Sequence, residues 1–164
     1  MIYTDLEFYS NLYPNDDIED DFNRLSWDAS KLMDRLTTGV DGVKKLTAAY
    51  PSDKDDAESV KRCACALVNL MHKVEVVQET QEQAESYIKN EDGTYQSALI
   101  SSRSAGNESI SYATGTSKVS ALSTAASDPE ARKALYRETV ESYLSGVRDA
   151  NGVNLLYMGR YPNV

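Results

Sequence analysis

The chain has 164 residues, 26 acidic against 17 basic side chains, and a formal net charge of −9. That length suits one domain, able to bury roughly two thirds of its unfolded surface without a disulfide or metal staple. The acidity and the lack of any basic run exclude a protein whose main work is to grip the phosphate backbone of a nucleic acid.

The excess charge is local. Residues 1–30 hold eight acids and one base, whereas residues 31–90 and 91–164 each sum to −1. The first residues, Met1 to Glu7, lack the basic and apolar regions of a secretory signal. Thr4-Asp5-Leu6-Glu7 has the form of a capping box, with Thr4 as the cap, and starts a short helix that Pro14 ends near Tyr13. The run from Asp16 to Asp21 opens a second helix, where carboxylates meet the positive end of the helix dipole. Its apolar stripe is Phe22, Leu25, Ala29, Leu32 and Leu36, with Met33 beside it and Gly39 as its stop. A third, shorter helix fits Val43–Tyr50, before Pro51.

The longest helical signal runs from Asp56 to about Lys89 without glycine or proline, on the stripe Val60, Ala64, Leu67, Met71 and Val74. Unbroken, it would be about 50 Å long, more than a core of this size covers. It is therefore expected either to project onto a neighbouring chain or to break near Glu79. Residues 97–127 hold ten serines and read as a loop or strand insertion. Within it, about 101–116 is an extended segment. Ser109-Ile110-Ser111-Tyr112-Ala113 alternates like a lone strand, which needs backbone from elsewhere, such as another subunit. Ser127-Asp128-Pro129-Glu130 opens the last helix, on the stripe Tyr136, Val140, Tyr143 and Val147. The tail Leu155-Leu156-Tyr157-Met158-Gly159-Arg160-Tyr161 is more apolar than a free terminus usually is.

The expected fold is all-α: a small helical bundle with one long helix over residues 1–150, and an extended tail over 151–164. No stretch of 18 apolar residues marks a membrane span.

No catalytic, metal or cofactor constellation stands out. His72 is the only histidine and falls beside the stripe of the long helix, as a partly buried, hydrogen-bonded imidazole would. Cys63 and Cys65 would point about 200° apart on a helix, too splayed for a mutual bridge, and cytosolic folding is the default. The acidic run at 16–21 lacks the glycine and glutamate spacing of a calcium loop, having Asp21 and Trp27 at those places. No nucleophile elbow, phosphate loop or dinucleotide turn occurs. The eleven tyrosines gather at both ends of the chain, either as a half-wet core or as an interface, since the residue joins apolar area to a polar tip.

Several blocks nonetheless carry a resemblance. They run in order: the aromatic first helix Tyr3–Tyr13; Phe22-x-Arg24-Leu25-x-x-Asp28-Ala29-Ser30-x-x-Met33-Asp34-x-Leu36-Thr37-x-Gly39; Val60-Lys61-x-x-x-Cys65-Ala66-Leu67-x-x-Leu70; Glu108-Ser109-Ile110-Ser111-Tyr112-Ala113; Tyr143-Leu144-x-Gly146; and Leu155-Leu156-Tyr157-Met158-Gly159. The chain resembles the head–tail connector (adaptor, or head-completion) proteins of tailed bacteriophages. It departs from them in a longer 78–100 region and in Arg148–Asn154, which separates blocks expected to adjoin.

The resemblance implies a non-enzymatic virion protein, made in the host cytoplasm, without cofactors. It would assemble as a ring, typically of twelve copies, under the portal protein. The ring would extend the channel for genomic DNA without sequence-specific binding and meet a downstream neck, stopper or tail protein. Carboxylates facing such a channel would let a duplex slide. On this reading Leu155, Leu156, Tyr157, Met158, Arg160 and Tyr161 dock on the portal, and removal of residues 155–164 leaves a folded chain. Residues 109–113 pair between subunits. Two other readings are an acidic helical binding module for a basic protein partner and an enzyme using carboxylates in the 16–21 run.

Overall fold

The computed structural model describes residues 1–89, 95–99 and 120–162, and the protein is mostly helical. Helices α1 (Leu6–Leu12), α2 (Glu19–Leu36), α3 (Lys45–Ala48) and α4 (Lys54–Ala84) are followed by strands β1 (Glu85–Lys89) and β2 (Tyr95–Leu99). Helices α5 (Ala121–Ser127) and α6 (Pro129–Leu144) complete the order. Helix α4 is the spine, and α2, α5 and α6 all pack along it. Among the described residues no helix is long and apolar enough to cross a membrane.

Local chemistry sets the helix starts. Asp5, not Thr4, caps α1: its carboxylate accepts from the Phe8 amide at 2.8 Å. The Thr4 hydroxyl is instead turned inward, 3.0 Å from Cys65 Sγ. Asp53 caps α4 by accepting from the amides of Asp55 and Asp56, which starts that helix two residues earlier than its apolar stripe implies. Asp128 caps α6 through the Glu130 amide, with Pro129 in the first turn as expected.

Helix α2 buries Phe22, Leu25, Ala29 and Met33, while Leu32 and Leu36 are only partly covered. The predicted stripe drifts: Met33, beside it, is fully buried, while Leu32 lines a cleft against α6. On α6 the buried residues are Val140 and Leu144, with Tyr136 half-buried and Tyr143 37% exposed, so the inward face follows a spacing of four rather than passing through Tyr143.

Helix α4 neither breaks near Glu79 nor reaches Lys89. Its 31 residues, about 46 Å, run continuously to Ala84, where the chain enters an antiparallel hairpin with Tyr87 opposite Ser97. Residues 109–113, with the whole of the extended segment placed at 101–116, lie outside the described residues. The serine-rich region is not loop throughout: β2 takes its first residues and α5, capped by Ser120, its last.

Two apolar clusters result. The larger joins α1, α2, α3, the first half of α4 and the end of α6 with Val147 and Leu155. The smaller holds Val74, Ala125 and Ala126, with Val77, Leu122, Leu135 and Tyr136 packed around them.

Candidate interaction surfaces

The C-terminal segment is built onto the fold as a clasp. Gly146, at φ +84°, turns the chain out of α6, and Leu155 donates its amide to the Val147 carbonyl and is fully buried. The turn between them is held by Asp149, which accepts from the amides of Asn151 and Val153 at 2.9 and 2.8 Å. The Asp56 carboxylate accepts from the Arg148 amide, and Ala150 donates to the carbonyl of Ala49, so α3 and the start of α4 anchor the same turn.

Lys45 is the hub of this end of the molecule. Its side chain is completely buried, and Nζ donates to the carbonyls of Thr37, Leu155 and Tyr157. Burial pushes its pKa below the usual lysine range, and the carboxylates of Asp41 and Asp149 oppose that shift. A buried ammonium with three backbone acceptors fixes the tail against the loop after α2, because each carbonyl would otherwise lack a partner.

That loop and the tail meet closely. The Val40 amide donates to the Met158 carbonyl at 3.2 Å, and the Tyr161 amide donates to the Asp41 carboxylate at 2.6 Å. This second contact is the main cause that lowers the Asp41 pKa. A Cβ on Gly39 would sit 2.8 Å from the Gly159 carbonyl, and one on Gly159 would overlap the Tyr157 ring. Glycine at both positions permits the approach.

The clasp uses part of the predicted tail and presents the rest. Leu155 belongs to the core and Leu156 packs against it. The Tyr161 hydroxyl donates to Asp149 and accepts from Asn151. Removal of 155–164 would therefore take away a core leucine and two of the three acceptors of Lys45, which overturns the expectation that the shortened chain stays folded. Tyr157 is 53% and Met158 55% exposed, and beside them Val40 is 75% exposed. Arg160 is exposed and has no ion-pair partner among the described residues. Three large exposed apolar residues thus lie where the loop and the tail meet, exposure of the kind that marks an interaction site.

The tyrosines divide. Tyr3 stacks on Tyr50, with ring centroids 6.0 Å apart, and donates to Asp34. Tyr9 lies between Tyr13 and Phe22 and donates to Asp16, which also accepts from Asn69. Burial, more than these carboxylates, holds the phenols of Tyr3 and Tyr9 above their usual range. These are core tyrosines, whereas Tyr143 and Tyr157 are surface ones.

Asp16 is thereby taken out of the acidic run as a structural acceptor. Asp21 pairs with Arg24, which also holds Glu75 in a two-pronged contact at 2.7 and 2.8 Å. Asp17, Glu19 and Asp20 are exposed and have no ion-pair partner among the described residues. His72 is half-buried, without a hydrogen bond to any described residue. Cys63 and Cys65 are buried free thiols, and burial pushes Cys63 up to about 12. Among the described residues no group of three or more histidine, cysteine, aspartate or glutamate side chains could hold a metal ion.

Sequence reasoning missed Lys45, Asp34 and Asp149, the buried polar residues that join distant segments. Lys45 stands in a Lys-Lys pair that reads as surface, and no spacing rule singles it out. Comparison with protein-family models, with curated proteins and with solved structures finds no match for this chain.

Proposed function

We propose that the protein is a structural component of a tailed-phage neck: a head–tail connector that works by assembly, seated between the portal protein and the next neck or tail component. The observation that carries this reading is the clasp, which holds Val40, Tyr157 and Met158 outward on a base fixed by Lys45. An apolar group held so firmly in place suits a docking knob. We assign it, together with Arg160, to the portal. The net charge of −9 is compatible with a conduit, since carboxylates facing a channel repel a duplex and do not retain it.

The test is the double substitution Val40→Ser and Tyr157→Ser, which leaves Met158 in place because it also borders the cleft between α2 and α6. Both side chains are more than half exposed, so the variant is expected to fold normally and to fail to join portal-bearing heads. Normal completion of heads by a folded variant would sink the assignment. The exposed, unpaired Asp17, Glu19 and Asp20 favour a second reading, an acidic module that binds a basic protein. That module would remain a monomer at all concentrations and release its partner as salt rises.

A further inference from the structure

A cleft lies between α2 and α6, running along α6 from Pro129 to Ser145. Its floor is apolar, made by Leu32, Leu36, Tyr136, Val140 and Leu156, with Met158 of the clasp at its edge. Its rim carries Lys31, Arg35, Arg132, Lys133 and Arg137, five of the 17 basic residues in a chain of net charge −9. Asp28, Glu130 and Glu141 stand in the same walls, but only Glu130 is engaged there, with Lys133 at 2.6 Å. Arg132 donates to Gln78, and Lys31 lies over the Trp27 ring. Arg35 and Arg137 have no ion-pair partner among the described residues. The wider end encloses about 1010 Å³, the upper end of what a small-molecule site spans and wide enough for a turn of helix.

The occupant that fits an apolar floor between basic walls is an acidic face with an apolar anchor, and this chain carries one. Asp17, Glu19 and Asp20 are exposed and unpaired, and Trp27, 53% exposed, lies on the same side of α2 as Asp20, about seven residues on. From Glu19 to Trp27 is about 12 Å along α2, against about 24 Å for the length of α6 that borders the cleft. Exposed tryptophan is the side chain most often found at the energetic centre of a protein contact.

We propose that the α2–α6 cleft receives the acidic start of α2 and Trp27 of a second copy of this chain. Carboxylates of one copy meet Arg35 and Arg137 of the next, and Trp27 covers the floor between them. Because the two surfaces are different places on one molecule, the contact is head-to-tail and propagates until it closes as a ring or continues as a filament. This inference rests on the connector reading only for the expectation that the contact closes.

The pure protein tests it, and Trp27, the only tryptophan of the chain, reports directly on the contact. On raising concentration at low salt, sedimentation should detect association and the Trp27 emission should move to the blue. Both effects should reverse as salt rises from about 50 to about 500 mM. The pair Arg35→Glu and Arg137→Glu should weaken association at least tenfold, as should the pair Asp17→Lys and Asp20→Lys. Each variant alone should stay monomeric with unshifted emission. An equal mixture of the two should associate again, because the acidic cleft of the first accepts the lysine-bearing face of the second, and the unaltered cleft of the second accepts the unaltered face of the first.

A wild-type chain that stays monomeric, a cleft variant that associates like wild type, or a mixture of folded variants that remains monomeric would each overturn the proposal. Cleft-dependent association by a protein that never joins portal-bearing heads would remove the neck assignment and leave the contact standing. Joining of heads by a cleft variant with unchanged association would do the reverse.

Discussion

The two halves of α4 are held in different ways. Around its first half, α1, α2, α3 and the C-terminal clasp close a core of nineteen buried residues in which distant segments are tied by buried polar groups: Tyr3 to Asp34, Asn69 to Asp16, Lys45 to the tail. Around its second half only three of the described residues are buried, two of them alanines, and the ties among the described residues include Gln78 donating to the Ala126 carbonyl and Arg132 donating to Gln78. Buried apolar area is the main source of stability, so the first half should set the global stability of the protein. The second half should open at lower free energy. The comparison teaches that this chain invests its long-range contacts at the end that displays Val40, Tyr157 and Met158.

The largest expected effect is at that end. Leu155→Ala leaves a cavity beneath the clasp and should destabilise the whole protein by about 2–5 kcal/mol. Val74→Ala, in the smaller cluster, should cost about 1.5 kcal/mol for its two lost methyl groups. It should raise hydrogen exchange in α5 more than in α2. Urea denaturation of both variants checks this, and equal losses would erase the distinction between the halves.

A smaller effect depends on pH. Cys63 lies in the larger core with its thiol pushed from 9.0 up to about 12 by burial. Above pH 9 the unfolded chain releases this proton while the native chain keeps it, so the native state binds more protons and stability falls as pH rises. The contribution is fully present below pH 9 and is lost toward pH 12, with a slope of at most about 1.4 kcal/mol per pH unit. Cys63→Ala should flatten the stability profile between pH 9 and 11. Tyr3 and Tyr9 act in the same direction, so a residual slope should persist. Thiolate is the reactive form, and the native Cys63 should resist alkylation at pH 8.

The smallest expected effect concerns a single cap. Asp128→Ala removes the acceptor of the Glu130 amide at the joint between α5 and α6, which should cost about 1 kcal/mol. The loss should appear as faster exchange in the first turn of α6, leaving the clasp protected. Protection lost equally in the clasp would mean that the two halves unfold as one unit.

Much of this was legible in advance because helices announce themselves locally. Pro14 and Pro129, the carboxylates at Glu19–Asp21 and the cap at Asp128 mark helix ends through backbone hydrogen bonding that involves only neighbours in sequence. The stripes of α2 and α6 were legible to within a rotation, and the error has one cause. A helix of broad amphipathicity can turn Met33 or Leu32 inward, and Leu144 or Tyr143, until a neighbour chooses. Helix α5 was hidden because serine and threonine form helix or loop with little preference. The tail is apolar by composition, yet its Leu155 is core and its Tyr157 surface, since composition does not say whether a hydrophobic segment is covered by its own chain or by another.

The sequence by itself determined the helical class, the long central helix, the positions of α1, α2 and α6 and the concentration of acid in the first thirty residues. All of these depend on periodicity, capping and charge within a few residues. Only the tertiary structure decided that Lys45 is buried, that Leu155 is core and Tyr157 surface, and that five basic side chains of an acidic protein line one cleft. Those outcomes depend on which segments meet across 110 residues of chain, as Lys45 meets Leu155, and no local pattern of apolar and polar residues encodes such a meeting.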